Sequence, residues 1–114
     1  MTFKAVILLK RRQDMSHEEF HSWWLGEHAP LAAQLPGVRR IVFNLAQDGG
    51  AFDGVSELWF DSQADFESAY ATEIGKSVAA DSMAHLADRQ RLSRLEARET
   101  ALVDSLVAQA EAAR

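Results

Sequence analysis

The residues best suited to chemistry gather around His28, which closes the run Trp23-Trp24-Leu25-Gly26-Glu27-His28-Ala29-Pro30. Proline disfavours helical geometry at the residue before it and offers no backbone donor. A helix arriving through Phe20, Trp23 and Trp24 is therefore expected to stop or kink near His28. There the imidazole can project from the helix surface, with Trp23 and Trp24 as apolar walls. An unperturbed pKa of about 6.5 suits it to proton transfer near neutral pH. Glu57, an acid inside the apolar run Val55 to Phe60, is the second candidate. As a pocket carboxylate it would orient His28 or share a proton with it, a pairing that serves general acid/base catalysis. The plainer alternatives are a histidine meeting a local hydrogen bond and a glutamate at a solvent edge or paired with an arginine.

His17-Glu18-Glu19-Phe20-His21 matches the zinc-protease pattern HExxH, in which two histidines one helical turn apart hold the metal. Here the match falls in a first helical turn where Glu19 is needed for capping. Trp24 and Glu27 occupy the glycine and third-histidine positions of the extended pattern, so no metal site is expected. His85 reads as a surface or packing residue. There is no cysteine, which rules out disulfides, thiolate ligands and cysteine nucleophiles. The sequence has no glycine-rich phosphate loop and no nucleophile elbow, so nucleotide-binding and hydrolase readings lack support. A net charge of −5 argues against a dedicated nucleic-acid partner, despite the short clusters Lys10-Arg11-Arg12 and Arg39-Arg40. No apolar run reaches membrane-spanning length and no signal pattern opens the chain, so the expectation is a cytoplasmic protein without a membrane partner.

These side chains need a scaffold, and 114 residues provide one domain with a real core. Phe3 to Lys10 is apolar at both alternating sets of positions, as in a strand covered on both faces. Ser16-His17-Glu18-Glu19 is a capping box that starts the first helix at Ser16, with Met15 and Phe20 placed as a hydrophobic staple. Pro36-Gly37 punctuates its far end. Val38 to Ala46 reads as a second strand and Gly54 to Phe60 as a third, joined across Asp48-Gly49-Gly50. Asp61 or Ser62 caps a helix carrying Phe66, Ala69 and Tyr70. Gly75 is a candidate break, and a further helix extends to about Ala87. From there helix and strand fit equally well.

This order is the split βαβ, or ferredoxin-like, pattern, whose helices cover one face of an antiparallel sheet. An apolar second face calls for a cover, and pairing two sheets about a twofold axis would supply it. A homodimer is therefore expected.

The run Phe20-x-x-Trp23-Trp24-x-x-Glu27-His28-Ala29-Pro30-Leu31, then Leu35-Pro36-Gly37-Val38-Arg39-Arg40, resembles the EthD family. So does Phe52-Asp53-Gly54-Val55-Ser56-Glu57-Leu58-Trp59-Phe60. The likeness extends over residues 3 to 103. It implies an α+β fold of type βαββαβ, a dimeric α+β barrel, with a pocket between sheet and helices in each subunit. The domain would cover residues 1–103, with a C-terminal helical or frayed tail over 104–114. The resemblance makes His28 and Glu57 the catalytic pair and places the fourth strand at Ser93 to Val103. Trp23, Trp24, Ile41, Trp59 and Thr100 would line the substrate pocket. Ile41 and Thr100 stand where many members carry tyrosine and histidine. The implied function is cofactor-independent acid/base chemistry on a hydrophobic carbonyl-containing or aromatic small molecule, giving isomerisation, dehydration or decarboxylation. The alternatives are a non-catalytic ligand-binding or accessory dimer and a cofactor-free monooxygenase.

Overall fold

A computed structural model describes residues 2–96, with side chains through Ala87. Strand β1 (Phe3–Arg11) leads to helix α1 (His17–Trp23), a π-helical turn (Trp24–His28) and the short helix α2 (Ala29–Ala32). Strands β2 (Arg40–Leu45) and β3 (Gly54–Phe60) follow, then helices α3 (Gln63–Ala71) and α4 (Glu73–His85) and strand β4 (Leu86–Glu96). The sheet order is β2-β3-β1-β4 with every neighbouring pair antiparallel. This is the ferredoxin-like α+β fold expected from the element order.

Local chemistry explains the boundaries. The Ser16 hydroxyl accepts from the Glu19 amide at 3.0 Å while the Glu19 carboxylate accepts from the Ser16 amide at 2.9 Å. Such a cap contributes about 1 kcal/mol. Ser62, rather than Asp61, caps α3 through the Asp65 amide. The break after α3 falls at Thr72, whose backbone is extended and whose hydroxyl caps the Gly75 amide. Gly75 is required for another reason: a Cβ there would lie 2.2 Å from the Ala69 carbonyl oxygen.

Two expectations are corrected. Of the stop or kink expected near His28, the stop does not occur: the chain stays helical through a distorted turn. One widened turn, closed by the Ala29 amide on the Trp24 carbonyl, carries it into α2. Pro30 follows in the first residues of α2, directly after the widened turn. The fourth strand begins at Leu86, directly after α4, rather than at Ser93. Neither glycine nor proline marks that junction, and the polar residues from Asp88 to Arg91 carry no strand signature. Residues 97–103 of the expected strand, Thr100 and the expected tail over 104–114 lie outside the described residues.

The helices cover one sheet face. Phe3, Ala5, Ile7 and Leu9 of β1 point into a core shared with Leu58 and Phe60 of β3, Phe20, Trp23 and Trp24 of the first helical segment, and Phe66, Ala69 and Val78 of α3 and α4. Phe20 and Phe60 are fully buried, and each such side chain contributes roughly 1.5–3 kcal/mol. The other face carries three rows across β2, β3 and β1: Arg40–Trp59–Lys4, Val42–Glu57–Val6 and Asn44–Val55–Leu8.

Candidate active site

The widened turn fixes the direction of His28. Anchored upstream by Phe20 and Trp24, it buries the imidazole to 7% exposure against α4. There Nδ1 lies 2.8 Å from Oδ2 of Asp81. The same carboxylate accepts from the Trp23 indole N–H at 3.2 and 3.3 Å. His85, one turn further along α4, places its Nδ1 3.3 Å from Oδ1 of Asp81 and stacks on Trp23 at 4.5 Å. Among the described residues no lysine or arginine pairs with Asp81.

A carboxylate only accepts, so Nδ1 of His28 carries the hydrogen and the exchangeable basic site is Nε2. Nε2 faces Ser82, whose hydroxyl oxygen is 3.5 Å away. Both residues line a cavity of 20 Å³ with Ile7, Leu9, Trp24 and Phe43 among its walls. Asp81 can thus stabilise the imidazolium that forms when Nε2 takes a proton, as the aspartate does in a serine-protease triad. The order Ser82–His28–Asp81 copies that triad in space. Ser82, however, lies inside α4, where the backbone amides are taken by the helix ladder and offer no oxyanion donors. The geometry fits a general base oriented by Asp81 better than an activated serine.

The other expected site residues divide. Trp24 lines the cavity, and its ring seats on Gly54, where a Cβ would lie only 2.5 Å from it. Trp23 holds Asp81. Ile41 lies outside the cavity, along an apolar groove with Leu25, Ala29 and Ala33.

Glu57 and Trp59 are not brought to His28. On β3 the helix-facing positions are Ser56, Leu58 and Phe60, so Glu57 and Trp59 fall on the opposite face. Glu57 pairs with Lys4 at 2.6 Å and accepts from the Asn44 side-chain amide at 3.0 Å. The Lys4 ammonium, against partial burial and with Asn44 adding, holds its carboxyl below the usual range. Trp59 lies beneath the Lys4 and Arg40 cations. The acid that meets His28 is Asp81, which the sequence reading missed together with Ser82 and Phe43. A signal existed in the spacing: Asp81 and His85 stand one helical turn apart, on a helix with an apolar stripe at Val78.

The zinc-like motif comes apart as well. His21 is exposed, and His17 turns its Nδ1 to Asp53 at 3.3 Å, with Asp48 4.0 Å away. Three ligand-type groups therefore converge there, but the Arg11 guanidinium already bridges both carboxylates. Asp53 also accepts from the Arg11 amide at 2.9 Å. Burial works against its ionisation. The bonds from the Arg11 amide, His17 and the Arg11 guanidinium outweigh that and hold its carboxyl below the usual range.

Comparison with known proteins supports the fold and the family. The chain is similar in structure to an ethyl tert-butyl ether d (EthD) family protein of Bacillus halodurans, with a TM-score of 0.65 at 21% identity over 83% of this chain and 100% of that one. A dimeric ferredoxin-like protein of unknown function from Thermobifida fusca aligns with a TM-score of 0.67 at 16% identity, over 82% and 90%. The hydroxynitrile lyase of Passiflora edulis aligns with a TM-score of 0.68 at 13% identity, over 87% and 96%. No curated protein sequence matches the chain. The EthD domain model matches residues 12–90, and the chain belongs to the EthD family.

Proposed function

We propose that the protein is a small acid/base enzyme in which His28 moves a proton on a hydrophobic carbonyl-containing or aromatic molecule. One observation carries this reading: a buried imidazole held through Nδ1 by an aspartate that, among the described residues, no lysine or arginine pairs with, and lining a small cavity. Nε2 would take a proton from carbon next to a carbonyl, and Asp81 would stabilise the resulting imidazolium. Returning that proton to another carbon gives isomerisation, and giving it to a departing hydroxyl gives dehydration. Decarboxylation starts instead from the imidazolium: the substrate carboxylate leaves as carbon dioxide, its bonding pair stays on carbon, and the Nε2 proton is transferred to that carbanion. The imidazole and carboxylate suffice for each transfer. The lyase activity of the Passiflora edulis neighbour is in keeping with acid/base work on this fold, although a shared fold does not fix a function.

The functional unit in this proposal is a homodimer joined through the outer sheet face. Val6, Leu8, Val42, Val55 and Trp59 are present there in a solvent-facing sheet, and the Thermobifida fusca neighbour is described as dimeric. Elution as a monomer at low micromolar concentration would remove that part of the proposal.

A thermal-shift screen of aromatic acids, lactones and ketones would identify ligands, and turnover of the best ones would follow. His28→Ala should then lower kcat by roughly 10²- to 10⁴-fold with little change in KM. Unchanged turnover in a folded variant would leave a binding protein in place of an enzyme.

A further inference from the structure

The cavity at His28 measures 20 Å³, room for about one water and too little for any organic substrate. Immediately outside lies the apolar groove lined by Leu25, Ala29, Ala33 and Ile41, with a volume of 400 Å³. One side chain, Phe43, walls both spaces. Its ring lies parallel to Trp24 at 4.4 Å with an interplanar angle of 3°, and 6.2 Å from the His28 ring at 21°.

The two stacked rings differ in how firmly they are held. Trp24 is 1% exposed and wedged onto Gly54. Phe43 is half-buried on β2, an edge strand of the sheet. Phe43 packs against the core from that edge, and a rotation about its side-chain bonds would join groove to cavity and uncover the Trp24 face.

We infer that Phe43 is the movable partition of the site and its specificity-determining residue. A planar ligand about one ring in size displaces the Phe43 ring, stacks on Trp24 and presents its carbonyl towards His28. The choice of ligand follows from what borders the vacated space: the flat apolar face of Trp24 on one side, and the His28 imidazole within reach of one edge. Bulky aliphatic ligands lack the flat face that Trp24 accepts. The inference rests on the proposed role of His28 only in naming the end of the ligand that reacts.

Fluorine NMR tests it on the native sequence, with all six phenylalanines replaced by 4-fluorophenylalanine and the Phe43 signal assigned from Phe43→Leu. Acetophenone serves as the planar probe and cyclohexyl methyl ketone as its non-planar counterpart. Saturable acetophenone binding should move the Phe43 resonance and leave those of Phe3 and Phe60 in place. The cyclohexyl ketone should bind at least about tenfold more weakly. The same shifts should occur in His28→Ala, so loss of the acid/base reading would not remove the partition. In Phe43→Ala, association should quicken by about tenfold, because no ring has to move first, whereas truncation of the exposed Met83 should change nothing. Saturable binding with an unmoved Phe43 signal would overturn the inference. Equal affinity for the two ketones, or no saturable binding up to about 10 mM, would overturn it equally.

Discussion

Among the described residues histidine meets aspartate in two places, His28 at Asp81 and His17 at Asp53, and these have different surroundings. At His28–Asp81 the carboxylate accepts, among the described residues, from an indole and an imidazole, while the Nδ1 of His85 lies 3.3 Å from it and 2.8 Å from the Asp81 backbone carbonyl. At His17–Asp53 a guanidinium holds the carboxylate, the backbone of β1 donates to it as well, and a second acid stands nearby. A carboxylate neutralised by arginine has little left to offer an imidazolium. It ties the end of β1 to the loop before β3. A carboxylate without a fixed cation can respond when its histidine takes up a proton. What distinguishes the two pairs is Arg11, which balances Asp53 and has no counterpart at Asp81 among the described residues.

Substitutions can break this comparison. The largest effect is expected from Asp81→Asn, which preserves shape but removes the charge facing the imidazolium. Turnover should fall by about 10²-fold or more while the denaturant midpoint stays close to that of the parent. A fall no greater than that caused by Asp53→Asn would make the two pairs equivalent and end the distinction. The converse change is Arg11→Ala. It leaves the Asp53 carboxylate buried without its cation, so stability measured by urea unfolding should fall by about 3 kcal/mol while the folded protein keeps the turnover proposed for it.

Acid provides a milder probe. Asp53 and Glu57 are held below their ordinary values of 3.8 and 4.5, so the unfolded chain takes up their protons first as pH falls. Their stabilising contribution is complete above about pH 5 and declines from there through the folded-state pKa values. Urea midpoints measured from pH 6 to pH 3 should drop less steeply in Asp53→Asn than in the parent. The smallest effect is expected from Glu57→Gln. It lies across the sheet from His28, so turnover should stay within about twofold and stability within about 1 kcal/mol. A large loss of turnover would mean that the outer face reaches the chemistry.

The elements that carry strong local signals were legible before any coordinates. The capping box at Ser16 and Glu19 and the span of β3 from Gly54 to Phe60 follow from the residue pattern. So does β1 as an apolar strand. Glu57 shows where such a pattern stops informing. Val55, Leu58, Trp59 and Phe60 are all apolar, so alternation could not say which set faces the helices, and a one-residue ambiguity moves Glu57 across the sheet. The fourth strand failed for a related reason. Its polar opening residues resemble a helix surface, and only pairing with β1 makes them a strand. Asp81 was hidden because its partners, Trp23 and His28, are more than fifty residues away along the chain.

The π-helical turn from Trp24 to His28 has a consequence for how the site could change in evolution. It is one residue longer than an α-helical turn, and each residue advances a helix by about 100°. Deleting Gly26, whose missing side chain would touch nothing within 4 Å, would restore ordinary helical winding. With the tryptophans in their seats, three ordinary steps of about 100° in place of four shorter ones would turn the imidazole by some tens of degrees about the helix axis. The orientation of His28 is thus stored as a residue count. It is set by phase along the helix, so that a single codon separates an imidazole directed at Asp81 from one directed elsewhere.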